Sequence, residues 1–234
     1  MKLNHIKAVF KKTKIDMLKN RRQLFFFLLF PIMTYLFYYM IEDQHEMFSV
    51  IYLPINVMFC SLNIMAGIIA EEKEKGTLRS LMFANIKPVE YFVGTGLFVL
   101  IATIVSCSLF LPLIDHIEGI EYLYFYGSII LSSVCSMILG ATVGISVKNQ
   151  MAANGLCAPI TIIIGMLPTF GAMNESFRKV ANILYTSKFA DTAAQIVTNL
   201  KVTMNYKIIL TYICNFLVAF LIFSLVYKKK KLDD

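Results

Sequence analysis

The sequence is short of charge. Asp, Glu, Lys and Arg make up 16% of its 234 residues, against about 25% in an ordinary soluble domain. The charge is also segregated. Six apolar runs, 23–41, 48–70, 91–114, 123–147, 155–173 and 208–227, contain no Asp, Glu, Lys, Arg or His. About 20 apolar residues cross the hydrocarbon core as a helix. The expected fold is therefore an all-α integral membrane protein with six transmembrane helices, built as one membrane domain over 1–234. A chain without ionisable groups in its spans lacks the carboxylate, His or Arg that proton- and voltage-driven transporters place in the membrane. Uphill transport by such a chain would draw its energy from a partner. Sodium coupling through carbonyls and hydroxyls stays open.

Other absences narrow the reading further. No GxxxxGK[ST] phosphate loop occurs, so ATP binding of the usual kind is not expected here. His5, His45 and His116 are isolated, and no metal-ligand cluster or Ser/His/Asp arrangement is present. No catalytic residue, metal or cofactor is expected on this chain, and it is not expected to be an enzyme. Its five cysteines, Cys60, Cys107, Cys135, Cys157 and Cys214, sit in apolar runs without a CxxC. They read as small buried apolar residues. The net charge of +7 lies beside the spans, where topology and anionic lipid account for it, so nucleic acid is not an expected partner. The basic first 22 residues hold no cleavable apolar core, and no signal peptide is expected.

What is present has a clear order. In 1–22, Leu3, Ile6, Phe10, Thr13 and Met17 share one helix face and Lys7, Lys11, Lys12 and Lys14 fall largely on the other. This predicts an amphipathic helix lying at the membrane surface. Six spans put both termini on one side. Of the Lys and Arg residues, 17 fall in the N-terminal segment, 71–90, the fourth connection and the tail, and 5 fall in 174–207. Both termini and 71–90 are then cytoplasmic, in a plasma membrane. Lys outnumbers Arg 18 to 4, and Ile, Phe and Asn are abundant, which points to AT-rich coding and a bacterial source. Segment 174–207 is too polar to span. Its pattern, Phe177, Val180, Ala181 and Leu184, then Phe189, Ala193, Ile196, Val197 and Leu200, predicts two short outer helices, with an ordinary outer loop as the alternative. Pro168 and Gly171 would let the fifth span end irregularly.

Polar residues inside the spans are few. Asn56 and Asn63 stand seven apart, which predicts a common face, and Asn215 lies in the sixth span. Such amides either bond neighbouring helices or line a substrate route. Ser132, Ser136, Gly140 and Gly144 recur every four residues on the fourth span, a stripe that lets helices approach closely. Pro31, Pro54, Pro112, Pro159 and Pro168 are expected to kink their spans.

Segment 71–90 interrupts the apolar pattern. Glu71, Glu72, Lys73, Glu74 and Lys75 are packed together. Residues 76–86 are amphipathic, with Leu78, Leu81, Met82 and Asn85 on one side and Arg79 and Ser80 beside them. Lys87 and Pro88 are expected to stop that helix. It is too short to span and too apolar to stand free in water, so it reads as a docking element. Leu78, Leu81 and Met82 would fill an apolar groove on a partner. Glu72 and Glu74 would bond backbone amides of the next helix or pair with Lys or Arg, and Thr77 would cap it.

The run Glu72, Lys73, Glu74, Lys75, Gly76, Thr77 and Leu78, followed by Pro88 and Gly94, resembles the E-(R/K)-E-x-G-T-(L/M) pattern of the permease subunits of type-2 ATP-binding-cassette exporters, of the type V exporter fold. The likeness in topology extends over the whole chain. Thr95 departs from it, since many relatives have Lys there. The resemblance implies a cytoplasmic coupling helix between the second and third spans, resting in a groove of an ATPase and involving Glu72, Glu74, Gly76, Thr77, Leu78, Leu81 and Met82. It implies two ATPase subunits, which carry the ATP and Mg, and a second permease, identical or related. The route would run between the permeases, lined by the second and fifth spans, with Asn56, Asn63, Thr161 and Met166 as candidates. A charge-free seam suits an amphipathic or hydrophobic cargo, and small relatives of this kind often export antimicrobial or cytolytic peptides or protect against them. Lipid or sugar-lipid export by the same fold, or an autonomous secondary transporter or channel, are the alternatives.

Overall fold

A computed structural model describes residues 2–41, 45–114, 117–202 and 205–230. Parts of the acidic connections 42–47 and 115–122, with His116, lie outside these residues, as does Lys231. The described residues are helical, with no strand among them. In order they form α1 Leu3–Lys19, α2 Arg21–Met40, α3 His45–Met58, a π turn Phe59–Asn63, α4 Ile64–Glu74, α5 Thr77–Phe83, α6 Pro88–Ser108, a 3-10 turn Leu111–Leu113, α7 Ile120–Ser146, α8 Gln150–Met173, α9 Glu175–Ala181, α10 Tyr185–Val197 and α11 Tyr206–Lys230. Six helical stretches are long and apolar enough to cross a membrane, the second made of α3, the π turn and α4 together. This is a multi-pass membrane protein.

The second span is the axis. Its apolar stretch is 94% buried within the chain, against 11% for the sixth. Two glycines explain how the fourth span closes on it. A Cβ on Gly140 would stand 2.4 Å from the Leu62 carbonyl oxygen, and one on Gly144 would stand 2.8 Å from the Ile69 Cβ. Hydrocarbon gives no hydrophobic drive between helices, so such close backbone approach is what holds them. The serines of the same stripe turn elsewhere. Ser132 meets the Tyr212 hydroxyl of α11 at 3.2 Å, and Ser136 meets the Tyr185 hydroxyl of α10 at 2.7 Å.

Two proline gaps are filled from neighbouring helices. Pro31 offers no N–H to the carbonyl four residues back, and the Ser106 hydroxyl of α6 donates to that oxygen, on Phe27, at 2.8 Å. Pro168 does the same to Ile164, whose carbonyl accepts from the Thr186 hydroxyl of α10 at 3.0 Å. In lipid an unpaired carbonyl costs far more than in water, so each hydroxyl ties one helix to another. Replacing Ser106 by Ala is expected to cost about 1–3 kcal/mol, read as an earlier midpoint when helical circular dichroism is followed through SDS titration. In the third span, α6 ends at Ser108 and Pro112 lies in the 3-10 turn, so this proline terminates the span and does not kink it.

The two short helices expected in 174–207 are α9 and α10. Helix α10 is the more deeply set: Phe189, Ala193 and Ile196 are buried against Leu53 and Val57 of α3 and Phe110 and Phe125 of the third and fourth spans. The Asn215 amide of α11 donates to the Ile183 carbonyl at 2.8 Å, holding the turn between α9 and α10.

Candidate functional site: the segment after the second span

The cluster of charges after Ala70 is the last turn of α4, and its side chains reach α1, α7 and α8. The Lys12 ammonium of α1 donates to Glu72 Oε1 at 2.5 Å. Lys73 donates to the Ile145 carbonyl at the C-terminal end of α7, at 2.9 Å. Glu74 Oε2 accepts the backbone N–H of Gln150, the first residue of α8, at 3.0 Å. Glu71 accepts from Lys75 at 2.5 Å and from the Gln150 side chain at 3.3 Å. An ammonium at a helix C-terminus and a carboxylate at a helix N-terminus each meet the favourable end of a macrodipole. Glu71 beside it raises the Lys75 pKa above the usual lysine value. Glu74 thus bonds a helix N-terminus as the sequence suggested, but the helix is α8 and not α5. The effect is a rigid knot joining α1 and the second, fourth and fifth spans.

The chain then turns on Gly76, whose φ of +67° is left-handed. The Thr77 hydroxyl donates back to the Glu72 carbonyl at 3.2 Å. It closes the end of α4 and does not cap α5, a correction to the expected role. Helix α5 is shorter than 76–86. It ends at Phe83, and Asn85, at φ +58°, is the left-handed residue past its end. Asn85 is therefore not on the helix face, and Pro88 opens α6 instead of stopping α5.

The apolar stripe of α5 is used at home. Leu78 is only 3% exposed and packs with Ile68, Ile69, Ile86 and Tyr91, with Leu81 half-buried beside them. Leu78 cannot fill a partner's groove, which corrects the sequence reading. Met82 is half-buried. What faces outward is Phe83, 87% exposed. The sequence held a signal for this. An amphipathic helix bound to its own bundle spends its stripe there, so the apolar residue off the stripe is the one left over.

Helix α1 is fastened along the same end. Glu90, in the first turn of α6, is almost fully buried. It accepts from the Lys2 amide at 2.6 Å, pairs with the His5 ring at 2.8 Å and accepts the Lys87 amide at 3.1 Å. Farther along, Gly94 lets α1 close in: a Cβ there would sit 2.8 Å from the Val9 Cβ. The buried face of α1 is Ile6, Val9, Thr13 and Met17. Leu3, assigned to that face from spacing, is exposed with Ile15 and Leu18.

Three of the four residues proposed for a route, Asn56, Asn63 and Thr161, are bonded inside the chain. Asn56 is fully buried, donates to the Ser106 hydroxyl at 3.0 Å and accepts from the Cys60 thiol at 3.5 Å, so it faces the third span. Asn63 donates to the Thr161 hydroxyl at 3.0 Å and to the Phe59 carbonyl at 3.1 Å, so it faces the fifth. The expected common face fails because the π turn Phe59–Asn63 lies between them and rotates everything after it. Met166 is half-buried on α8.

The model of a family described as ABC-2 family transporter protein matches residues 43–228, from the second span to the end of the sixth. The chain belongs to this family. A comparison with curated proteins finds no match. As an ABC-2 permease the chain is a membrane-spanning transport subunit of an ATP-binding-cassette transporter. Its segment 71–90 lies inside the matched region, and the ion-pair knot and the exposed Phe83 are features of the permease itself.

Proposed function

We propose that this ABC-2 permease is an exporter subunit, that α5 is its coupling helix, and that Phe83 is the side chain a cytoplasmic ATPase grips. The supporting observation is the pairing of one exposed aromatic with a short helix whose root is bonded to three other elements. A force applied at Phe83 passes through Gly76 into Glu72, Lys73 and Glu74, and so into α1, α7 and α8 together. Two ATPases, holding ATP and Mg, and a second permease, identical or related, complete the machine. Both termini and 71–90 face the cytoplasm, and the exposed apolar face of α1 lies against the membrane surface. The cargo is amphipathic or hydrophobic, an antimicrobial or cytolytic peptide in a bacterial plasma membrane. The charge-free spans support that class of cargo.

Purification in mild detergent is expected to bring down a separate ATPase chain. Phe83→Asp is expected to lower that recovery about tenfold or more, since burying a Phe is worth about 1.5–3 kcal/mol, while membrane insertion stays intact. No ATPase with the wild-type chain would sink the proposal. Flux in liposomes holding this chain alone, without ATP, would favour an autonomous transporter. A sensitivity panel of peptides on a deletion strain tests the cargo.

A further inference from the structure

An open cleft of about 720 Å³ lies between α1, the first turn of α2, the last turn of α4 and the start of α8. Beside Glu72 Oε2, a buried acceptor without a partner, two of its lining side chains are buried donors that have no hydrogen-bond partner among the described residues. They are the Thr13 hydroxyl, on a residue 1% exposed, and the Gln23 amide nitrogen, on a residue 6% exposed. A buried donor left unmatched costs about 1–3 kcal/mol, so this pair calls for a ligand. Gly67 stands next to the Gln23 amide, where an added side-chain carbon would make only ordinary contact. A Cβ there would stand 3.6 Å from the Gln23 amide nitrogen, 3.8 Å from that of Gln150 and 3.9 Å from Asn154 Oδ1.

The balance of the cleft favours an acceptor. Its cations outnumber its carboxylates, four to three: Glu72 and Asp16 share Lys12, and Glu71 pairs with Lys75. Lys19 and Arg21 also line it. The N-terminus of the 20-residue α2 opens on it, where Asn20 Oδ1 takes the Gln23 N–H at 3.4 Å. A helix N-terminus, a buried amide NH₂, an ammonium and a guanidinium make up a donor set suited to an oxyanion.

We propose that this cleft is a phosphate-oxyanion site. It lies at the level where the apolar run of α2 begins, at Leu24, and that of α4 ends, at Ala70, the boundary at which phospholipid headgroups sit. Occupation would tie α1 to α2 and α8 through one ligand. The inference goes beyond the proposed export role and stands whatever the cargo is.

The full chain is purified in maltoside detergent and probed in two arms. In one it is reconstituted in vesicles of phosphatidylglycerol doped with diacylglycerol as the lipid without phosphate, and retained lipid is read by native mass spectrometry. In the other, inorganic phosphate binding is measured by equilibrium dialysis. Retention of phosphatidylglycerol over diacylglycerol supports the site and assigns the headgroup as its source. Binding of inorganic phosphate alone supports the site with a soluble source. Gln23→Leu and Arg21→Gln are each expected to lower occupancy about tenfold. Arg21 is exposed, so its replacement reads out binding even where Gln23→Leu disturbs folding. The proposal is overturned if neither probe is held, if diacylglycerol is held as well as phosphatidylglycerol, or if Arg21→Gln binds as the wild type does.

Discussion

Gly76→Pro is expected to abolish ATP-driven transport while leaving the permease inserted and near normal in yield. The reason is local and steric. Gly76 holds φ at +67°, and the proline ring fixes φ near about −65°. The backbone cannot make the turn that aims α5. The substitution also removes the Gly76 N–H, which donates to the Lys73 carbonyl at 3.2 Å. Lys75, which would precede the proline, sits in the α region with ψ −3°, a conformation that a following proline disfavours. Lys75 carries the pair to Glu71, so the knot is disturbed along with the turn. The folded core is not. No atom of the described residues lies within 4 Å of a Cβ placed at Gly76. Gly76→Ala separates the two effects, since it meets only the left-handed penalty of about 1–2 kcal/mol. Transport is expected to fall in the order Gly, Ala, Pro, with insertion level throughout. Wild-type transport by the proline variant would show that the direction of α5 does not matter.

How far the sequence could be read depends on which interactions leave a one-dimensional trace. The spans did, because a membrane removes charge from about 20 successive residues at a time. The amphipathic segment between the second and third spans did too, because Gly76 and Pro88 bound it. The partners of its charges did not. Glu72 meets Lys12 across sixty positions, and only folding brings α1 onto α4. The proline rule shows where carbonyls at Phe27 and Ile164 are freed, but not that Ser106 and Thr186 will take them. The largest misreading came from treating the second span as one uniform helix. Seven residues return an α-helix to nearly the same face, and the π turn at Phe59–Asn63 breaks that count. Asn56 and Asn63 therefore serve different helices. The face of α1 was misread in a smaller way. Leu3 fits the apolar spacing, but Glu90 and Gly94 determine where the helix lies, and that position favours Val9.

Gly140→Ala is expected to destabilise the permease by about 3 kcal/mol or more, although it adds one methyl group to a helix and swaps a poor helix former for the best one. Propensity alone predicts a gain of about 1 kcal/mol. Packing opposes it. The new Cβ would lie 2.4 Å from the Leu62 oxygen and 3.0 Å from the Leu62 Cα. Both atoms are backbone, so no rotamer change relieves the clash. The opposing segment is the π turn, bonded through Asn63 to Thr161 and through the Ser61 hydroxyl to Thr103 at 3.2 Å. To make room, the fourth span must leave the second, and the second is the axis on which the third and fifth also pack. Gly127→Ala, thirteen residues earlier on the same helix, supplies the opposite sign. No atom of the described residues lies within 4 Å of its Cβ, so propensity wins there, and stability is expected to rise by about 0.5–1 kcal/mol. The two variants are to be compared by SDS titration followed by circular dichroism, with yield in the membrane as a second measure. Equal midpoints would mean that the contact between the fourth span and the π turn does not hold the bundle together.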